Sequence, residues 1–142
     1  MPTLSLWIDS RLEEVARLGA AVDQACREQG ATAEQAYEVE LAVCEVVNNI
    51  IRHARSGPGE RVSVLLTVNA QGARIEIPEG CTKGMVLHAG DAPAPERIED
   101  LPEGGMGLGI IQATMDRVRC VEAEGRMLLI LEKRFTPGDE AA

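Results

Sequence analysis

A carboxylate and a carboxamide share one side of an otherwise apolar segment, LAVCEVVNNIIRHA at residues 41–54. Glu45 and Asn49 are four residues apart, so a helix would place them on one face, with Asn48 to the side and Arg52 extending the stripe. Their oxygen atoms suit a hard cation such as Mg²⁺, and a carboxylate can also take a proton from an attacking hydroxyl group. The alternative is a polar stripe that faces solvent or bonds to a neighbouring loop.

A second segment, EGGMGLGII at residues 103–111, places four glycines in six positions directly before an apolar, helix-like stretch. Glycines at the start of a helix allow the backbone to approach a ligand, and the free N–H groups there bind phosphates. A Walker A loop would need Lys-Ser/Thr after the last glycine, and a dinucleotide fingerprint would follow the first strand. The segment has neither feature, nor the Val-Ala-x-Lys strand that follows a protein-kinase glycine loop. A phosphate-binding turn and a flexible hinge both remain possible.

The composition indicates one globular domain covering residues 1–142, because 45% of the residues are hydrophobic and the length allows a core. We expect a cytoplasmic protein, since the sequence has neither a secretory signal nor the ~20-residue apolar run of a membrane span. The net charge of −9 argues against nucleic acid as a partner and suits a basic protein surface.

The four cysteines are too widely separated to predict a zinc site or a small disulfide scaffold. Cys26 and Cys44 fall within helical patterns, where buried free thiols are common.

The periodicity predicts the element order strand, helix, helix, strand, strand, long loop, helix, strand, strand. The strands come in adjacent pairs, which favours an α+β two-layer sandwich with a mixed, mostly antiparallel sheet and helices on one face. The boundaries are strand 3–9, helices ending at Gly30 and near Ala54, strands 61–68 and 73–78, a loop at 79–103, a helix after the glycines to about residue 116, strands 117–123 and 126–135, and a frayed tail at 136–142.

The combination of an E-x-x-x-N helix, a hairpin, a long loop and G-x-G-L-G-I opening a helix that ends in Met-Asp resembles the GHKL (Bergerat-fold) ATPases. Within that superfamily, the chain is similar to the bacterial anti-sigma-factor serine/threonine kinases over roughly residues 3–135. The residues that carry the resemblance are Glu45, Asn49 and His53 in the first motif, and Gly105, Gly107, Leu108, Gly109, Ile110, Met115 and Asp116 in the second.

The resemblance implies a histidine-kinase-like ATPase domain that uses ATP and Mg²⁺. Glu45 would be the general base and Asn49 the Mg²⁺ ligand. Residues 82–103 would form an ATP lid. The phosphate and nucleotide contacts would come from Gly105, Met106, Gly107, Leu108 and Gly109.

Members of this family phosphorylate a STAS-domain anti-anti-sigma protein, sequester a sigma factor and commonly form homodimers. The resemblance therefore implies protein partners, with no direct contact to nucleic acid or membrane.

The adenine-binding motif of the family, Asp-x-Gly, is altered in this chain. Glu79 stands at the Asp position, Cys81 at the glycine position and Lys83 where the family usually has a further glycine two positions on. Glu79 can still accept a hydrogen bond from the adenine amino group, and Gly80 and Gly84 allow a shifted loop path, so Glu79 and Gly84 are predicted nucleotide contacts. The alternative is a degenerate pocket in a module that only sequesters its protein partner.

Overall fold

The computed structural model describes residues 3–53, 60–81 and 105–135, which form a sheet with helices on one face. Strand β1 (Thr3–Asp9) leads through a short 3-10 turn (Leu12–Glu14) to helices α1 (Val15–Glu28) and α2 (Ala33–His53). The remaining elements are β2 (Arg61–Asn69), β3 (Gly72–Pro78), α3 (Gly105–Thr114), β4 (Arg117–Ala123) and β5 (Arg126–Arg134).

The ends of α1 and α2 follow from local sequence. Gly30 has a φ of 109°, a left-handed conformation that glycine adopts without strain, and its N–H donates to Arg27 O at 3.0 Å. The Thr32 and Gln35 side chains then form a reciprocal capping box: Gln35 N–H donates to Thr32 Oγ1 at 3.0 Å and Thr32 N–H to Gln35 Oε1 at 2.9 Å. The start of α2 is therefore fixed by its own first turn.

The sheet has the order β1-β2-β3-β5-β4, and each of the four strand pairings within the described residues is antiparallel. The predicted two-layer α+β class is confirmed, and the sheet has no parallel pair in the part of the chain described. Two of the four pairings, β2–β3 and β4–β5, are tight hairpins, and adjacent strands joined by a short turn must run antiparallel. The β4–β5 turn places Glu124 and Gly125 at φ values of 53° and 80°.

The core lies between the sheet and the helices. Alternate residues of β2 and β3 are buried, as expected for strands with one covered face. Helix α2 buries its own small and β-branched side chains in this core along most of its length. The main contributors are Leu18, Val22, Val39, Val43, Val46, Val47, Leu66, Ile75, Ile77, Leu129 and Leu131.

The last helix begins earlier than the sequence predicts. We expected a glycine loop followed by a helix, but α3 includes Gly105, Gly107 and Gly109 in its first turns. Glycine costs about 1 kcal/mol relative to alanine inside a helix, and tertiary packing overrides this preference when a helix buries its apolar face. Ile111 is fully buried, and α3 packs on α2.

Candidate functional site

Helix α2 presents the predicted polar pair at half-buried positions. Glu45 and Asn49 are both partly covered, whereas their neighbours Val46 and Val47 are fully buried. Four helical residues correspond to a rise of about 6 Å, so the two side chains start one turn apart on the same face. Within the described residues, neither side chain has a hydrogen bond or an ion pair to another residue. A half-covered carboxylate and amide that have no polar partner in the described part of the chain are available to a ligand.

The opposite side of α2 packs against α1 around a pair of acidic residues. Burial raises the pKa of the Glu40 carboxyl group. The hydrogen bond between Glu40 and Asp23 and the negative charge of Asp23 raise this pKa further, while the positive charge of Arg27 lowers it. Arg27 Nε donates to Asp23 Oδ1 at 2.6 Å. Gly19 permits this close approach, because a Cβ at that position would lie 2.6 Å from Cys44 Sγ. This interface fixes the position of α2.

A single lysine joins the two helices that carry the candidate motifs. Lys133 Nζ lies 2.9 Å from Glu38 Oε1 on α2 and donates to the Thr114 carbonyl at the end of α3, at 2.8 Å. Its side chain is only 11% exposed. A lysine at a helix C-terminus satisfies the last carbonyls and complements the helix dipole. Lys133 therefore links α2 to the end of α3.

The altered adenine motif follows β3 directly and packs against β5. Glu79 has a φ of 64°, an uncommon conformation for a residue other than glycine, and its N–H donates to Met127 O at 3.0 Å. Arg126 Nε donates to Glu79 Oε1 at 3.0 Å. Gly80 is buried, and a Cβ on it would lie 3.0 Å from Leu129 Cβ. The predicted base-reading carboxylate thus already has a cationic partner.

A disulfide joins Cys81 to Cys120 of β4. The sequence spacing, which does not resemble a small disulfide scaffold, gave no indication of this bond. Cys26 and Cys44 are free, as predicted. Burial raises the pKa of the Cys26 thiol to about 12 and that of the Cys44 thiol to about 11, with further increases from Asp23 for Cys26 and from Glu40 and Glu45 for Cys44.

The donor set fits Mg²⁺ bound together with a nucleotide. Within residues 3–53, 60–81 and 105–135, no three His, Cys, Asp or Glu side chains gather into a metal-binding group. Mg²⁺ usually keeps several waters and takes one or two protein oxygens plus phosphate oxygens, so a single amide oxygen on α2 meets its need for a protein ligand. Asn49 and Glu45 supply oxygen donors of this kind, and neither has a competing partner among the residues that the structure describes.

The predicted site residues fall partly within the described chain. Glu45 and Asn49 lie on α2, Glu79 follows β3, and the segment Gly105, Met106, Gly107, Leu108 and Gly109 lies in α3. Gly84 and the predicted lid at 82–103 lie outside the described residues. Sequence reasoning missed Lys133 and the Cys81–Cys120 bond. Both depend on strand register, which brings distant residues together and leaves no local pattern.

Comparisons with known proteins agree on one family. Residues 8–133 match the sequence family described as the histidine kinase-like ATPase domain. The chain is 24% identical over 148 residues to the serine-protein kinase RsbW of Halalkalibacterium halodurans, with 97% of this chain and 86% of that protein covered. It is 25% identical over 105 residues to the anti-sigma F factor of Clostridium acetobutylicum, covering 73% of each chain.

A solved structure has the same fold. The RsbU and RsbW domains of Rv1364c from Mycobacterium tuberculosis match with a TM-score of 0.66 and 15% identity, covering 97% of this chain. The match spans 34% of that longer chain, so this chain corresponds to about a third of it. Among the described residues, no helix is long and apolar enough to cross a membrane.

Proposed function

Since the chain belongs to the histidine kinase-like ATPase family, we propose that it is an ATP- and Mg²⁺-dependent protein serine/threonine kinase that also acts as an anti-sigma factor. Its substrate is a STAS-domain anti-anti-sigma protein, and its sequestered partner is a sigma factor. The observation that carries the proposal is the half-buried pair Glu45 and Asn49 on α2, which has no polar partner among the described residues. The names of the relatives, a serine-protein kinase and an anti-sigma factor, support both halves of the proposal.

In the proposed reaction, Glu45 accepts the proton of a serine or threonine hydroxyl group as its oxygen attacks the γ-phosphorus of ATP. The new oxygen–phosphorus bond forms, the bond to the β-phosphate oxygen breaks, and ADP leaves. Mg²⁺ neutralises charge on the phosphates when bound, and Asn49 would help to hold it. The N-terminal turns of α3 supply N–H groups for the phosphates, where its glycines admit a close approach.

A second candidate function is supported by the adenine motif. Arg126 pairs with Glu79, and Cys81 places a side chain where the resemblance has glycine. These features favour a chain that sequesters its partner without phosphorylating it. Binding of the protein partner would then not depend on nucleotide.

A phosphoryl-transfer assay separates the two candidates. The chain is incubated under reducing conditions with ATP labelled at the γ-phosphate and with a purified STAS-domain protein from the same organism. A kinase transfers label to the STAS-domain protein, and Glu45→Gln, which keeps the shape of the side chain but removes the base, loses that transfer. Stable complex formation with no transfer by the wild-type chain would instead establish sequestration alone.

We also propose a homodimer and a cytoplasmic location. Strand β1 lies at one edge of the sheet and exposes Leu4 and Trp7, which are 39% and 48% exposed. Exposed tryptophan is enriched in protein interfaces. Sedimentation equilibrium of the wild-type chain tests the dimer, and a monomer at all concentrations would refute it.

A further inference from the structure

The structure places two distant cysteines together at the altered adenine motif. Cys81 follows Gly80 directly, and Cys120 lies in β4, 39 residues along the chain, with a Cα–Cα distance of 6.0 Å. We propose that Cys81 and Cys120 form a reversible disulfide that weakens nucleotide binding when oxidised and restores it when reduced. The nucleotide part of this inference rests on the proposed function.

The bond ties the turn after β3 to a strand that is not its neighbour. In the sheet, β5 lies between β3 and β4, so the disulfide reaches across β5. Cys120 is paired with Leu129, whose side chain is fully buried beneath the helices. Both cysteines pack against the core at half-buried positions. The disulfide therefore lies on the helix-covered side of the sheet, where α2 also lies.

Thiol–disulfide exchange accounts for the chemistry. The thiolate of one cysteine attacks a low-molecular-weight disulfide such as oxidised glutathione, which releases one glutathione thiolate and leaves a mixed disulfide. The second cysteine thiolate then attacks the protein sulfur of that mixed disulfide, so that the Cys81–Cys120 bond forms and the second glutathione leaves. The two protein thiols lose two protons and two electrons, and one glutathione disulfide becomes two glutathione thiols. A dithiol reductant reverses the step. Partial exposure gives reagents access to the pair.

The other two cysteines compete poorly for the oxidant. Cys26 is fully buried, and the raised pKa values of Cys26 and Cys44 leave little thiolate at neutral pH. Because the thiolate is the reacting species, Cys26 and Cys44 react slowly, whereas Cys81 and Cys120 lie close enough together to form an intramolecular bond.

Oxidation restricts the turn that would recognise the base. The turn is held by hydrogen bonds from Glu79 N–H to Met127 O at 3.0 Å and from Gly80 N–H to Ile77 O at 3.1 Å. The disulfide adds a covalent constraint immediately after them. Reduction of the disulfide allows Cys81 to move away from Cys120 and allows the Glu79 side chain to adjust to a ligand. If the adjusted turn is populated about tenfold less in the oxidised chain, the apparent Kd rises about tenfold.

The experiment uses the wild-type full chain, oxidised with glutathione disulfide or reduced with a phosphine. Peptide mapping checks for the Cys81–Cys120 bond. Amide hydrogen exchange at Glu79 and Gly80 and calorimetric titration with MgATP are then measured on both forms. We expect the reduced form to exchange faster and to bind MgATP about tenfold more tightly. The double variant Cys81→Ser/Cys120→Ser should be indifferent to oxidant, and Cys44→Ser should retain the full response.

Redox control of the turn and kinase activity can fail separately. Equal MgATP affinity in both forms, or failure of the pair to form a bond under oxidant, overturns the redox control and leaves the kinase proposal standing. Absence of nucleotide binding in both forms overturns the kinase proposal, and the control of nucleotide binding with it. In that case, faster exchange in the reduced form shows that the disulfide still constrains the turn.

Discussion

Arg126 Nε donates a hydrogen bond to Glu79 Oε1 at 3.0 Å, so the residue that stands in the adenine-reading position is held by a cation of the chain itself. The pair joins the turn after β3 to the first residue of β5. Both side chains are more than half exposed, at 52% for Glu79 and 68% for Arg126, so solvent weakens their attraction. A nucleotide base that uses Glu79 must compete with this ion pair, and the competition is measurable.

Arg126→Ala should strengthen ATP binding. Exposed ion pairs contribute about 0.2–1 kcal/mol, so releasing Glu79 should lower the Kd by up to about fivefold, with little change in stability. Calorimetric titration measures the affinity. Arg117→Ala, which removes an exposed arginine of β4, is the matched control and should leave the affinity unchanged. Weaker ATP binding in Arg126→Ala would show instead that Arg126 itself contacts the nucleotide.

Lys133→Met should destabilise the fold. It leaves the Thr114 carbonyl and the Glu38 carboxylate without their bonds to Nζ, which costs about 2–3 kcal/mol in the free energy of unfolding. Urea denaturation measures the loss. Arg134→Met, at an exposed position next along β5, should change stability by less than about 0.5 kcal/mol. Equal losses in the two variants would contradict a role for Lys133 in joining α2 to α3.

Glu40→Gln should stabilise the chain at neutral pH. The pKa of Glu40 is raised in the folded state, so the protonated form is favoured there. Its contribution to stability is fully present below the unfolded pKa of about 4.3 and is lost as pH rises through the folded pKa. Glutamine mimics the protonated form, so we expect a gain of a few tenths of a kcal/mol at pH 7 that disappears near pH 4. Urea denaturation across this range measures it, and a loss of stability at pH 7 would refute the assignment.

Reducing the disulfide should lower the free energy of unfolding. A cross-link between residues 39 positions apart restricts the unfolded chain, and the chain-entropy estimate for such a loop is about 4 kcal/mol. Denaturation with and without a phosphine reductant measures the difference. The Cys81→Ser/Cys120→Ser variant should show no response to reductant. An identical wild-type transition in both conditions would mean that the bond does not cross-link the folded chain.

Much of the fold can be predicted from local sequence patterns, and the structure contains the features that these patterns predict. The alternation in β2 and β3, the Thr32–Gln35 capping box and Gly30 at the end of α1 each depend on residues close in sequence. The position of Glu45 and Asn49 on one helix face likewise needs only helical periodicity. For the same reason, sequence alone predicts that Glu45 and Asn49 lie side by side on α2.

Features that depend on pairing between distant strands were not predicted from the sequence. The net charge of −9 gives no indication that Arg74, Arg117 and Arg119 converge on Glu132, at 3.9, 4.0 and 3.5 Å. These contacts require the register that pairs both Arg74 and Arg117 with Glu132. The Cys81–Cys120 bond depends on the same arrangement of strands around β5. The early start of α3 is a further case, since packing against α2 outweighs the low helix propensity of glycine.

We propose that α2 holds MgATP through Asn49 and presents Glu45 as the base, and calorimetric titration of the reduced chain tests the binding step most directly. We predict measurable MgATP binding that Asn49→Ala weakens about tenfold or more, because a bond to a charged group is lost. Asn48→Ala, the same change at the adjacent half-buried position, should leave the affinity within about twofold of the wild type. Absence of binding up to millimolar nucleotide, or equal losses in the two asparagine variants, would contradict the account.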